Sequence, residues 1–308
     1  MTNQDKIGSW QLMAEAIAEG NRKTLSRAIS LIENEFPGYE QLLENLPAKD
    51  STRVIGFTGP PGGGKSTIVD ALIGQWSDSS KKIAVLCVDP SSPFHRGALL
   101  GDRIRMNGWF NQPNIFIRSL ASRGALGGLH PKIIEIVDLL GAAGFEFVLL
   151  ETVGVGQNEV DIASLAETCV VVLVPEAGDD IQTMKSGLME IADILVVNKA
   201  DRPDAHEFEK HLYAVRSMNP DVGSKAPVPI LKTIGLQNQG IAELAAAILQ
   251  DQQSKNHVEQ RTRLLARKAF QLIAQKKIRD IDQAELELKI QAQLNNPDFN
   301  LYRFVSTY

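Results

Sequence analysis

The stretch from Arg53 to Thr67 constrains the fold more tightly than any other part of the chain. An apolar run carrying Val54, Ile55 and Phe57 meets Gly59, and four residues later comes Gly64-Lys65-Ser66. That is the G-x-x-x-x-G-K-[ST] spacing of a phosphate-binding loop, placed between an expected strand and a helix expected over about Ser66 to Trp76. The residue types follow from what the loop must do. Backbone N–H groups have to converge on phosphate oxygens, and glycine allows the close approach and unusual dihedrals this needs. The cradle is therefore expected from Gly59, Pro60, Pro61, Gly62, Gly63, Gly64, Lys65, Ser66 and Thr67. Lys65 is expected to reach the β- and γ-phosphates and the Ser66 hydroxyl to bind Mg²⁺. The helix behind them adds its positive N-terminal end.

From Val54 onward, apolar runs alternate with amphipathic stretches. Lys82 to Asp89 is apolar almost throughout, as a strand buried on both faces must be. Phe145–Glu151, Thr168–Pro175, Ile194–Asn198 and Pro229–Lys232 repeat the theme. Helices are expected between them, at about Pro131–Ala142, Glu159–Ala166, Thr183–Ile191 and His206–Ser217. Strand then helix, repeated, predicts an α/β fold with an open, mostly parallel sheet covered on both faces. Ligands of such sheets bind beyond the C-terminal strand ends.

The pattern divides the chain into residues 1–50, a helical extension; 51–250, the phosphate-loop domain; and 251–308, a helical arm. In the first, helices are expected over Trp10–Ala18 and Arg22–Glu35, the second ended by Pro37. In the third, Arg261 to Arg279 carries seven basic residues and no acidic one. The whole chain is nonetheless mildly acidic, at net −5, which gives no electrostatic footprint for nucleic acid or an anionic membrane. No apolar run has the length of a membrane span, and the N-terminus lacks a signal-peptide pattern. Cys87 and Cys169 sit inside apolar runs and read as core thiols, which fits a reducing cytoplasm. No cluster of Cys and His suggests a zinc site.

Chemistry is expected at the strand ends. Asn198-Lys199-Ala200-Asp201 follows the run Ile194–Val197 and has the N-K-x-D arrangement of guanine-specific nucleotide hydrolases. The Asp201 carboxylate can accept from guanine N1–H and the exocyclic amine. Adenine offers neither donor on that edge and would leave a buried charge unpaired. Lys199 is expected to lie over the base and Asn198 to brace the loop. Glu151-Thr152-Val153-Gly154 ends another strand. There Glu151 is placed to hold Mg²⁺, and the Gly154 N–H to meet the γ-phosphate. Asp89 and Asp102 are further carboxylates within reach of a metal that takes a few hard oxygens. Val155 stands where many signalling GTPases carry a water-orienting glutamine, so unaided hydrolysis is expected to be slow. Gln157 is the nearby candidate for the missing group.

Taken together these segments resemble the MeaB/ArgK/MMAA family of P-loop GTPases, chaperones of adenosylcobalamin-dependent acyl-CoA mutases such as methylmalonyl-CoA mutase. The resemblance rests on the phosphate loop and on Val-Asp-Pro-Ser-Ser-Pro-Phe at 88–94 and Gly-Asp-Arg-Ile-Arg-Met at 101–106. It rests equally on Ser-Leu-Ala-Ser-Arg-Gly-Ala-Leu-Gly-Gly-Leu at 119–129, Glu-Thr-Val-Gly-Val-Gly-Gln at 151–157 and the segment 190–201. It implies a GTPase core of the SIMIBI class that binds GTP and GDP with Mg²⁺, touched by Ser66, Asp89, Asp102 and Glu151. It also implies a homodimer made by the C-terminal arm, and a loop at about Gly178 to Lys185, with Lys185 matching a family lysine, that carries the nucleotide state to the mutase.

The chain departs from the family pattern at several places. Ile234-Gly235 replaces the usual Ser-Ala, a segment expected to meet the guanine O6 through a backbone N–H. His95-Arg96 replaces small residues, Asn158 stands where serine is usual, and the ending around Asn296-Pro297-Asp298-Phe299 is unlike the family's. Three other readings compete. Metal-insertion GTPases need soft or imidazole ligands near the phosphate loop, and none is evident from spacing. An ATP-using transport kinase is opposed by Asp201. A nucleotide-binding interaction module with little turnover is consistent with Val155.

Overall fold

The computed structural model describes residues 3–47, 52–77, 81–89, 106–122, 129–152, 162–175, 187–218, 228–254, 257–278, 281–294, 296 and 299–308. Its centre is a seven-stranded sheet in which every pair is parallel. The strands are β1 (Arg53–Thr58), β2 (Ile83–Asp89), β3 (Ile115–Ala121), β4 (Phe147–Glu151), β5 (Thr168–Leu173), β6 (Ile194–Asn198) and β7 (Ile230–Thr233). Their order across the sheet is β3-β2-β4-β1-β5-β6-β7. The phosphate-loop strand β1 thus lies in the middle, with β4 on one side and β5 on the other. Chain connections diverge to the two sides at that point, and this is where an open α/β sheet presents its ligand crevice.

Both faces of the sheet are covered, which explains why the strands read as unbroken apolar runs. Ile55, Phe57, Val85, Leu149, Val170 and Val172 pack on the face of helix α4 (Lys65–Ser77) and the helix Ile241–Ser254. Leu86, Val88, Val148, Leu150, Val171 and Leu173 pack on the opposite face, in one cluster with the helix Ile133–Ala142. That second cluster also takes in Trp10, Ile17, Leu25, Ile29 and Leu42. They come from the N-terminal helices α1 (Asn3–Ala18), α2 (Arg22–Glu33) and α3 (Tyr39–Glu44). Helices that read in sequence as a separate extension are therefore part of the core of the sheet. Polar contacts fasten them at the β3 edge. The Arg22 guanidinium donates to the carbonyls of Gln112 and Ile115, and Arg118 of β3 pairs with Glu33 and with Ser30 Oγ.

The chain forms two compact units, Met1–Gln260 and Arg261–Tyr308. In the second, helices Gln283–Gln293 and Leu301–Val305 begin at side-chain caps. Asp282 accepts from Ala284 N–H at 2.7 Å and Asn300 from Tyr302 N–H at 3.0 Å. This unit leaves many large apolar side chains in the open, among them Phe270, Ile273, Leu288, Leu294, Leu301 and Tyr302. Among the described residues, no helix is long and apolar enough to cross a membrane.

Most expected elements appear within a residue or two of their bounds. Helix α1 begins seven residues earlier than expected, at Asn3 rather than Trp10. Of the expected helix Glu159–Ala166, the described part is a single tight turn at 162–164, and of Thr183–Ile191 it is the helix Leu188–Ile191. Strand β3 and helix α3 were not anticipated.

Candidate functional site

The phosphate loop runs from the end of β1 into α4, and its backbone requires glycine at specific places. Gly59 has φ of 134° and Gly64 of 86°. A Cβ on Gly59 would lie 2.1 Å from the Val172 carbonyl oxygen of β5, and one on Gly64 would lie 2.3 Å from Asn198 Nδ2 of β6. The loop is thus pressed against β5 and β6, with no room for a side chain at Gly59 or Gly64. Lys65 opens α4 and is almost fully buried. Its ammonium donates to the carbonyl oxygens of Gly59 at 2.7 Å and Pro60 at 3.1 Å. A flexible cation is in this way held across the loop it belongs to, next to the amides that would meet an anion.

One residue further on, Ser66 Oγ donates to Glu151 Oε1 at 2.6 Å. Both side chains are buried, at 8% and 5% exposure. Glu151 closes β4, and the register sets it beside Phe57 of β1 and Cys87 of β2. The Cys87 thiol lies 3.9 Å from Glu151 Oε2. Sequence spacing left Cys87 as a core thiol with no soft ligand near the loop. It is buried, and the register also brings its sulfur against the carboxylate. Just above, Thr152 Oγ1 lies 3.4 Å from the Phe57 carbonyl oxygen and 3.3 Å from Thr58 Oγ1. A hydroxyl and a carboxylate oxygen side by side, both hard donors at the mouth of the loop, fit a small hydrated divalent cation. The backbone of Asp89 closes β2 on the same edge. The Asp89 side chain and all of Asp102, Gly154, Val155, Gln157 and Lys185 lie outside the described residues, as do the segments 90–94 and 178–185.

The base side of the crevice is organised by Asn198, the last residue of β6. Its Nδ2 donates to the Gly63 carbonyl oxygen at 2.9 Å. Its Oδ1 accepts from Thr233 Oγ1 at 3.0 Å and from the Gly235 N–H at 3.2 Å. One buried side chain therefore joins the phosphate loop, the end of β6 and the turn after β7. Lys199 follows with a left-handed φ of 55°, and the Ala200 N–H donates to the Thr233 carbonyl oxygen at 3.1 Å. Asp201 stands exposed in the next turn. After β7, Ile234 and Gln239 exchange backbone hydrogen bonds at 3.0 and 3.3 Å and close a small loop. Gly235 sits at its base against Thr67 and Ile68 of α4. The Gly235 N–H, expected to face a purine oxygen, is turned onto Asn198 in this arrangement.

Sequence reasoning missed Thr233, which had no motif to mark it. Its one signal was a polar residue directly at the end of an apolar strand, as with Asn198 and Glu151. A cleft of about 370 Å³ lined by Asp70, Gly74, Trp109, Asn238 and Ile241 lies beside α4 and contains none of the residues just described.

A parallel sheet with this loop on its central strand, the serine–glutamate pair beside it and N-K-x-D at the end of β6 defines a P-loop GTPase. Residues 25–288 match the family described as methylmalonyl-CoA mutase-associated GTPase MeaB, and the chain belongs to that family. A Pyrococcus horikoshii protein is 43% identical over 235 residues, spanning 75% of this chain and 74% of that one. The GTPase ArgK of Escherichia coli is 36% identical over 252 residues, 77% and 75% of the two chains. Among solved structures, an LAO/AO transport system kinase superposes with a TM-score of 0.67 at 26% identity, covering 96% of this chain and 89% of that one.

Proposed function

We propose that this GTPase couples GTP binding and hydrolysis to the loading and protection of an adenosylcobalamin-dependent acyl-CoA mutase, a methylmalonyl-CoA mutase or a close relative. The observation that carries the nucleotide half of this reading is the Asn198 side chain. By bonding Gly63 and Gly235 together it fixes the distance between a phosphate-reading loop and a base-reading loop. Triphosphate oxygens meet the N–H groups of Gly62 to Thr67, Pro60 and Pro61 shaping the loop without donating, and Lys65 transfers its ammonium from the Gly59 and Pro60 carbonyls to the phosphates. Asp201 reads the guanine edge, with Lys199, Ile234 and Gly235 around the ring. The metal-holding residues are Ser66 and Glu151, with Asp89 and Asp102. Mg²⁺ held there neutralises the charge that builds on the phosphate oxygens during transfer. Gly154 and Gln157 are assigned the γ-phosphate, and the response to its loss is assigned to their segment together with the loop bearing Lys185.

The mutase half rests on family membership. With Val155 in place of a water-orienting glutamine, the isolated chain turns over well below the ~1–100 s⁻¹ usual for kinases, and the partner supplies what is missing. The exposed apolar side chains of the unit Arg261–Tyr308 favour a homodimer formed through that arm, and residues 51–250 act as the nucleotide domain. The setting is cytoplasmic, and neither nucleic acid nor a membrane is a partner. The test is hydrolysis and cofactor transfer assayed with and without the mutase co-purified from the native host. Partner-stimulated turnover, with cofactor loading that differs between GTP and GDP, supports the reading. Identical rates and identical loading in both nucleotide states contradict it.

A further inference from the structure

Cys87 lies on β2 two residues before Asp89 and opposite Glu151 in the parallel register. Register neighbours in a parallel pair point to the same face, so both side chains look toward α4. Their environment is dry, with Cys87 1% and Glu151 5% exposed. The two carboxylate oxygens have different partners. Oε1 accepts from Ser66 at 2.6 Å, and Oε2 lies 3.9 Å from the Cys87 sulfur. A thiol is a weak donor, but an ionised acceptor in a low-dielectric setting strengthens any hydrogen bond it receives. The last torsion of a glutamate is broad and roughly two-fold. Each contact to a carboxylate oxygen therefore restrains that torsion, and losing one loosens it.

We infer that Cys87 is a positioning residue for Glu151: its thiol holds Oε2 from below and so keeps Oε1 directed at Ser66 and at a Mg²⁺ ion bound there. The inference rests on the metal-holding role proposed for Glu151. Cys169, the other cysteine, packs in the cluster on the opposite face of the sheet and serves as the control. The experiment follows release of a fluorescent GDP analogue from the full chain across a Mg²⁺ titration, with nucleotide affinity and thermal unfolding measured in the absence of Mg²⁺. Cys87→Ala raises the Mg²⁺ concentration that half-maximally slows release by about three- to tenfold, the scale of one ordinary hydrogen bond, as suits a weak thiol donor. Cys87→Ser restores most of it, Cys169→Ala leaves it in place, and the Mg²⁺-free affinity is the same in all of them.

An unchanged midpoint in Cys87→Ala, where Glu151→Gln shifts it, overturns the inference and leaves the role of Glu151 standing. An unchanged midpoint in Glu151→Gln removes the metal-holding reading and the inference with it. A shift in Cys87→Ala matched by an equal loss of Mg²⁺-free affinity marks a packing defect and also overturns it.

Discussion

At the scale of single residues, the site is built from side chains that join loops, and Asn198 joins the most. Replacing it with alanine leaves the Gly63 carbonyl oxygen, the Thr233 hydroxyl and the Gly235 N–H without this partner in a buried setting. Asn198→Ala is expected to cost about 2–4 kcal/mol in urea unfolding and to weaken guanine nucleotide binding. Gly64→Ala acts on the same joint from the other side. Its Cβ would meet Asn198 Nδ2 at 2.3 Å, on a backbone with φ of 86°. The strained backbone alone costs about 1–3 kcal/mol, and calorimetry of the variant should detect no nucleotide binding. These residue types were legible in the sequence because motif spacing reports which chemistry converges on a phosphate or a base. The partners were not. Cys87 and Thr233 adjoin Val88-Asp89 and Ile234-Gly235 along the chain, but Glu151 and Asn198, which they touch, are far off in sequence and are brought beside them only by strand register.

At the scale of elements, the alternating pattern revealed the buried strands, because a strand covered on both faces has to be apolar throughout. The edge strand β3 escaped notice for the same physical reason. It pairs on one side with β2, and Arg118 and Ser119 interrupt its apolar run. The N-terminal helices were visible as helices, but amphipathic periodicity does not say which surface a helix covers.

Their attachment includes an ionic cluster that is buried at Glu135 and open to solvent at Glu35. Lys132 donates to Tyr39 Oη at 3.0 Å and lies 3.5 Å from Glu135 Oε1 and 3.6 Å from Glu35 Oε1. Burial pushes the Glu135 carboxyl above its ordinary value, against the opposing pull of Lys132. Burial also pulls the Lys132 ammonium down, but the Tyr39 hydrogen bond and the Glu135 charge outweigh it and leave the value raised. A carboxyl raised by folding keeps its proton longer in the native state than in the unfolded chain. Its contribution to stability is therefore present below the unfolded value of 4.5 and falls away as pH rises through the folded one. Relative to Glu135→Gln, the unmodified protein should be more stable at pH 4 than at pH 8, as read by paired denaturant unfolding. A difference that stays flat or grows with pH contradicts this.

At the scale of the whole molecule, two demands meet: a nucleotide crevice at the middle of the sheet, and an arm whose apolar side chains are exposed. The second predicts that the full chain sediments as a dimer, and that Phe270→Asp combined with Ile273→Asp yields a monomer that still binds GTP. A monomeric unmodified chain contradicts the role given to the arm. The first demand is the central claim, since every other role depends on a guanine nucleotide occupying that crevice. It is tested most directly by titration calorimetry of Mg²⁺-GTP and Mg²⁺-ATP into the purified chain and into Asp201→Asn. A site built to hydrogen-bond a ligand's N–H groups rejects the analogue lacking them by about 10⁴-fold or more, here once the bound base closes the exposed Asp201 off from water. GTP should therefore bind with ATP undetected, and the substitution should sharply narrow that gap. Equal heats and affinities for the two nucleotides in the unmodified chain would contradict the account.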